Sequence, residues 1–152
     1  VVEEFYEDLE TLIAKTPMKD LIIFLGDWNA QIGEGINHSS AGKFGHGITT
    51  ERGMILLDFA ERQKMVVVNT LHRHKASRRM TCNAIDGVTK KQLDYILERK
   101  KFKFSVIKAK TRTFKKPDIG SDHDLVMTTF KLKLSTKTRT KKHQRYFSTL
   151  RN

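Results

Sequence analysis

Apolar residues at positions 2, 5, 6, 9, 12 and 13 recur with helical spacing, while Glu3, Glu4, Glu7, Asp8 and Glu10 fill the other side. This pattern predicts a surface helix that ends near Pro17. The run Leu21-Ile22-Ile23-Phe24-Leu25 is apolar throughout and rich in branched residues, which predicts a strand buried on both faces and stopped by Gly26-Asp27. Glycines at 33, 35, 42, 45 and 47, with Asn37, Ser39 and Ser40 among them, predict a long loop. Met54, Leu57, Phe59 and Ala60 then suggest a second helix over 51–64, and Val66-Val67-Val68-Asn69 a second strand. Beyond Leu71 only strand-like pieces remain, at 79–83, 93–97, 102–109 and 125–134, with Asp86-Gly87 as a hairpin signal between the first two. Alternating helices and strands followed by short strands make the fold class mixed α/β.

At 152 residues and 38% hydrophobic content, a single domain is expected. No apolar run approaches the roughly 20 residues needed to cross a bilayer, so no membrane partner is expected. One cysteine, Cys82, rules out an internal disulfide and fits an intracellular setting. The formal net charge is +12 and is unevenly placed: residues 125–152 hold eight basic residues and no acidic one. Residues 99–116 hold nine and again no acid. Charge concentrated in this way favours polyanions through counterion release, although a solvated basic face and a disordered tail over 135–152 would give the same composition.

Three clusters at predicted strand ends could carry chemistry. In Gly26-Asp27-Trp28-Asn29, the Asp27 carboxylate and the Asn29 carboxamide lie two residues apart, so in extended chain they face one side. Asp27 could orient a water and Asn29 donate to a phosphate oxygen; a plain turn would use the same residue types. Ser121-Asp122-His123-Asp124 places a carboxylate next to an imidazole, which suits a divalent cation beside a phosphoryl group and equally suits a polar turn. In Gln92-Leu93-Asp94-Tyr95-Ile96-Leu97 an acid interrupts a core run and needs a partner if buried. His123 is one candidate, since an Asp–His bond fixes the tautomer, and a surface Arg or Lys is the other.

The order Gly26-Asp27-Trp28-Asn29, Arg79-Met80-Thr81, Gln92 to Leu97, then Ser121-Asp122-His123 resembles the C-terminal part of the endonuclease/exonuclease/phosphatase (DNase I-like) superfamily. Within it, residues 21–33, Gly42-Lys43-Phe44-Gly45, Glu51-Arg52-Gly53 and residues 78–97 resemble the endonucleases of non-LTR retrotransposons of the RTE/Bov-B type. The resemblance covers residues 1–134 and leaves 135–152 as a basic tail or linker. It implies part of a four-layer α/β sandwich with a mostly antiparallel mixed sheet and flanking helices, and a strand-nicking DNA endonuclease dependent on Mg²⁺, with Mn²⁺ as the alternative ion. Asp27, Asn29, Asp94 and His123 would be catalytic and Asp122 would hold the metal. Asn29, Arg78, Arg79, Thr81 and Ser121 would contact phosphate or DNA. A nuclear location would follow from that substrate.

The chain departs from the family in places. The family's principal metal-binding Glu belongs to strands that would precede Val1, and the glutamates of the first helix are poor substitutes. The aromatic after the Thr is Cys82 here, and an Asn common before Glu-Arg-Gly is Thr50. The chain is therefore expected to be a fragment that cuts weakly or not at all by itself. Its rivals are a catalytically inactive DNA-binding module and a phosphatase of the same superfamily acting on a lipid or inositol phosphate.

Overall fold

A computed structural model of the chain describes residues 1–84, 86, 88–103, 105–108 and 121–131. Helix α1 spans Val2–Lys15, strand β1 Ile23–Asp27, helix α2 Glu51–Arg62 and strand β2 Met65–Val67. Four short strands and one longer strand follow: β3 Cys82–Asn83, β4 Lys90–Lys91, β5 Asp94–Arg99, β6 Val106–Lys108 and β7 Thr129–Phe130. The central sheet has the order β1-β5-β2, with β5 antiparallel to both neighbours. The architecture is thus mixed α/β with antiparallel sheets, as the pattern of the sequence suggests.

The two helices pack their apolar stripes on one face of this sheet. Tyr6 and Ile13 of α1 and Leu56, Leu57, Phe59 and Ala60 of α2 form one core with Met65, Val67, Tyr95 and Leu97. The period of two along β5 sends Ile96 to the opposite face, where it meets Val68, Ile23, Val126 and Phe130. Asp94 and Glu98 share that second face with Ile96, and so do their β1 partners Asp27 and Ile23.

Strand β1 corrects the expectation of a doubly buried strand over 21–25. It begins two residues later and has β5 as its one ladder neighbour among the described residues. Phe24 reaches the helical core, whereas Leu25, on the second face, is 64% exposed. An unbroken apolar run reports that both faces accept carbon, not that both are covered.

Boundaries elsewhere shift for local reasons. The second strand stops at Val67 because Val68–Thr70 tighten into a 3₁₀ turn, in which the Thr70 hydroxyl donates to Val67 O. Of the expected strand over 79–83 only Cys82–Asn83 pairs, and its partner is Lys90–Lys91 rather than the segment at 93–97. The turn between them is organised by Asp86, whose carboxylate accepts from the backbone N–H groups of Val88 and Thr89. Ile85 and Gly87 lie outside the described residues, as do Phe104, 109–120, 132–134 and the tail 135–152.

The 33–47 loop is tied down at short intervals. Ala41 pairs in parallel with Val67, the N–H of Val67 donates to Ser40 O, and the N–H of Gly42 donates to Thr70 Oγ1. The loop returns to α2 through Thr50, which caps the helix: its hydroxyl accepts from the N–H groups of Gly53 and Gln31. This closure leaves no room at Gly53, where an added Cβ would lie 2.1 Å from the carbonyl oxygen of Gln31. Gly53→Ala is expected to cost about 1–3 kcal/mol through overpacking against rigid backbone, read as a lower urea midpoint. An unchanged midpoint would mean that the helix start moves freely.

Candidate active site

The chemistry-bearing residues meet where β1 ends and β5 begins. Register places Asp27 directly opposite Asp94, so two carboxylates emerge side by side on the second face of the sheet. The segment 122–124 is laid against them by strand-like pairing: Asn83 N–H donates to Asp122 O at 2.9 Å, Asp124 N–H donates to Thr81 O at 2.7 Å, and Cys82 bridges His123. His123 thereby comes to lie between the carboxylates. Its Nδ1 is 2.8 Å from Asp94 Oδ2 and its Nε2 is 3.8 Å from Asp27 Oδ2.

Each member is held by a second group. The Asp27 carboxylate accepts the N–H of Asn29 at 2.8 Å. Asn29 itself sits at φ 47, in the left-handed region that Asn tolerates better than most residues. Trp28 donates its indole N–H to Tyr95 O, pinning the end of β1 to β5. The first residue of β5 is gripped from both sides: the Thr81 hydroxyl accepts from the N–H of Asp94, and the Asn69 amide donates to Asp94 O while its oxygen accepts from Ile96 N–H. Ser121 Oγ accepts the N–H of His123. Asp27 and Asn29 also border a cavity of about 280 Å³ shared with Phe5, Trp28 and Arg52.

Electrostatics follow from this crowding. Burial alone would lower the His123 midpoint, but the hydrogen bond to Asp94 and the charges of Asp94, Asp27 and Asp122 outweigh it, so the imidazole is held above its ordinary 6.5. The Cys82 thiol is pushed up by burial and by the same three carboxylates. It stays protonated near neutral pH, which makes it a poor ligand even though Cys82, Asp122 and His123 offer donor atoms within 4.8 Å of one another. The exposed carboxylate of Asp122 is the donor there that suits a hard cation. Mg²⁺ is commonly held by one or two carboxylates together with phosphate oxygens and water, and the residues present fit that mode.

Of the residues expected to contact phosphate or DNA, Asn29, Ser121 and Arg78 are exposed. Thr81 is fully buried, its hydroxyl occupied by the N–H groups of Leu93 and Asp94, so it positions β5 and does not touch a ligand. Arg79 is also buried; its Nη1 donates to Gly45 O and reaches Glu34 Oε1 at 3.3 Å. Asn69 and Cys82 are site-building residues that the sequence reading missed. A buried polar residue closing an apolar strand was the one available signal for Asn69.

The chain resembles craniofacial development protein 2. It is 41% identical over 133 residues to that protein of Tragulus javanicus and 40% identical over 133 residues to that of Bos taurus. The match takes in 88% of this chain, which spans about a quarter of the length of these curated relatives, 23% and 22% respectively. No family model matches the chain, and no solved structure does. Among the described residues no helix is long and apolar enough to cross a membrane.

Proposed function

We propose that this chain is the C-terminal part of a DNase I-like phosphodiesterase domain that nicks DNA with the help of Mg²⁺. The observation that carries this reading is the Asp94–His123–Asp27 group, in which one imidazole spans two carboxylates at distances of 2.8 and 3.8 Å. Asp94 fixes the ring and accepts its Nδ1 proton, which leaves Nε2–H directed toward Asp27 and the reacting centre. A protonated His123 stabilises the negative charge that builds on the phosphoryl oxygens as water adds to phosphorus. Asp27, oriented by the Asn29 N–H, either takes the proton of the attacking water or returns one to the leaving oxygen as the P–O ester bond breaks. The Asn29 side chain holds a phosphate oxygen. Asp122 would hold the metal, which would neutralise charge on the phosphate that the three carboxylates would otherwise repel. A nuclear location goes with a DNA substrate.

The test is conversion of supercoiled plasmid to open circle, with Mg²⁺ and with EDTA, by a version of this chain extended at its N-terminus to supply the family's metal-binding Glu. Nicking with Mg²⁺ and none with EDTA is the expected result. Salt-sensitive plasmid binding with no metal-dependent nicking would replace the nuclease with a binding module, and release of phosphate from inositol phosphates without nicking would replace it with a phosphatase.

A further inference from the structure

A second cavity, of about 420 Å³, is lined by Glu34, Arg73, His74, Lys75, Ala76 and Arg79. Arg73 and Lys75 are exposed at its mouth, and Arg79 is buried. Three permanent positive charges there face one carboxylate, so the cavity is cationic. The ion pair of Arg79 with Glu34 engages Nη1, and the Nε of Arg79, closed to solvent, has no hydrogen-bond partner among the described residues. An anion with several oxygens suits a cavity whose net charge is positive.

The position of the cavity narrows the choice of anion. The loop carrying Arg73 to Arg79 leaves from Asn69–Thr70 and returns at Thr81. Asn69 and Thr81 are the residues that grip the carbonyl and the N–H of Asp94. Both ends of the loop are therefore anchored at the first residue of β5, beside His123, and the cavity belongs to the same end of the sheet. A ligand with one phosphate at His123 and others strung along a chain would reach both places.

The geometry points to this cavity as a second phosphate subsite, in which Arg73, Lys75 and Arg79 hold a backbone phosphodiester of a nucleic-acid strand and set its register on the Asp94–His123–Asp27 group. This inference rests on the nuclease reading above. Arg73 and Lys75 supply charge from the rim, Arg79 adds its charge from the wall, and Glu34 holds Arg79 in place.

Because Arg79 is buried, the rim pair is the one to change. Binding of the chain to a short labelled duplex is measured by anisotropy across a salt series for the wild type, for R73Q/K75Q, and for K15Q/K19Q, which removes the same charge near the end of α1. The slope of log K against log salt is expected to become shallower by about 1.8 in R73Q/K75Q, two contacts at roughly 0.9 each, with the control unchanged and all three proteins melting alike. An unchanged slope in R73Q/K75Q, or an equal loss in the control, overturns the subsite. Plasmid nicking by the N-terminally extended protein, run in parallel, separates the two claims. Salt-sensitive binding without nicking, with the slope still reduced in R73Q/K75Q, removes the nuclease and keeps the subsite. Nicking with an unaltered slope removes the subsite and keeps the nuclease. Inorganic phosphate provides the last arm: saturation by phosphate, lost in R73Q/K75Q, with no effect of that variant on duplex binding assigns the cavity to a small phosphate and overturns the strand.

Discussion

His123→Ala is expected to lower Mg²⁺-dependent nicking by about 10²- to 10⁴-fold, the range over which a positioned acid–base group contributes. Asp94→Asn should fall in the same range for a different reason. It keeps the volume but replaces the anionic acceptor of the Nδ1 proton with a neutral amide, whose NH₂ can donate to that nitrogen and select the opposite tautomer. The pH profile distinguishes this from simple misfolding. In the wild type the imidazole is held above 6.5 by Asp94, Asp27 and Asp122 against the opposing effect of burial, so a rate that needs the imidazolium falls as pH rises through that elevated midpoint. In Asp94→Asn the principal support is gone while burial remains, so the falling limb should move to lower pH. Nicking that survives in His123→Ala would remove the imidazole from the chemistry, and an unmoved limb in Asp94→Asn would assign the limb to another group.

How far the site could be read in advance depended on how local its causes are. Asp27, Asp94 and His123 each stand at the end of an apolar stretch, where a polar residue is conspicuous, and the register Asp27 opposite Asp94 makes them neighbours once β1 and β5 pair. The helices were legible because Tyr6 and Ile13, and Leu57 and Ala60, repeat with the helical period and reach the core, although Met54, read on the same stripe, is exposed. Thr81 was misread because its partners are remote in sequence: N–H groups 12 and 13 residues away occupy its hydroxyl. Arg79 is held by a carbonyl 34 residues away, a contact that residue type alone does not reveal. The exposure of Leu25 was hidden for the related reason that composition reports affinity for a covering layer and not its presence.

The second large effect is expected at Glu98, a charged residue in the middle strand of the sheet. It is fully buried, and among the described residues neither carboxylate oxygen has a hydrogen-bond partner. Its ladder neighbours are Ile23 and Val66, and the side chains on its face include Ile96. Burial pushes its midpoint from the ordinary 4.5 up to about 7. Between those values the folded protein keeps a proton that the unfolded chain gives up, so stability declines as pH rises from 4.5 through about 7 and is level above. Once ionised, the group costs up to about 3 kcal/mol. Glu98→Met occupies similar volume without a charge and is therefore expected to raise the urea unfolding free energy by about that amount near pH 8, and by much less near pH 5. His123 works in the same direction, because its folded midpoint also lies above the unfolded one and its stabilisation is lost as pH rises through it. The slope that remains in Glu98→Met is set by His123 and, in the opposite sense, by His46, whose midpoint is lowered by burial and by the charge of Arg79; adding His123→Gln should remove the falling part. If Glu98→Met is no more stable than the wild type at the higher pH, the carboxylate is not a burden when charged, and a cation must reach it in solution.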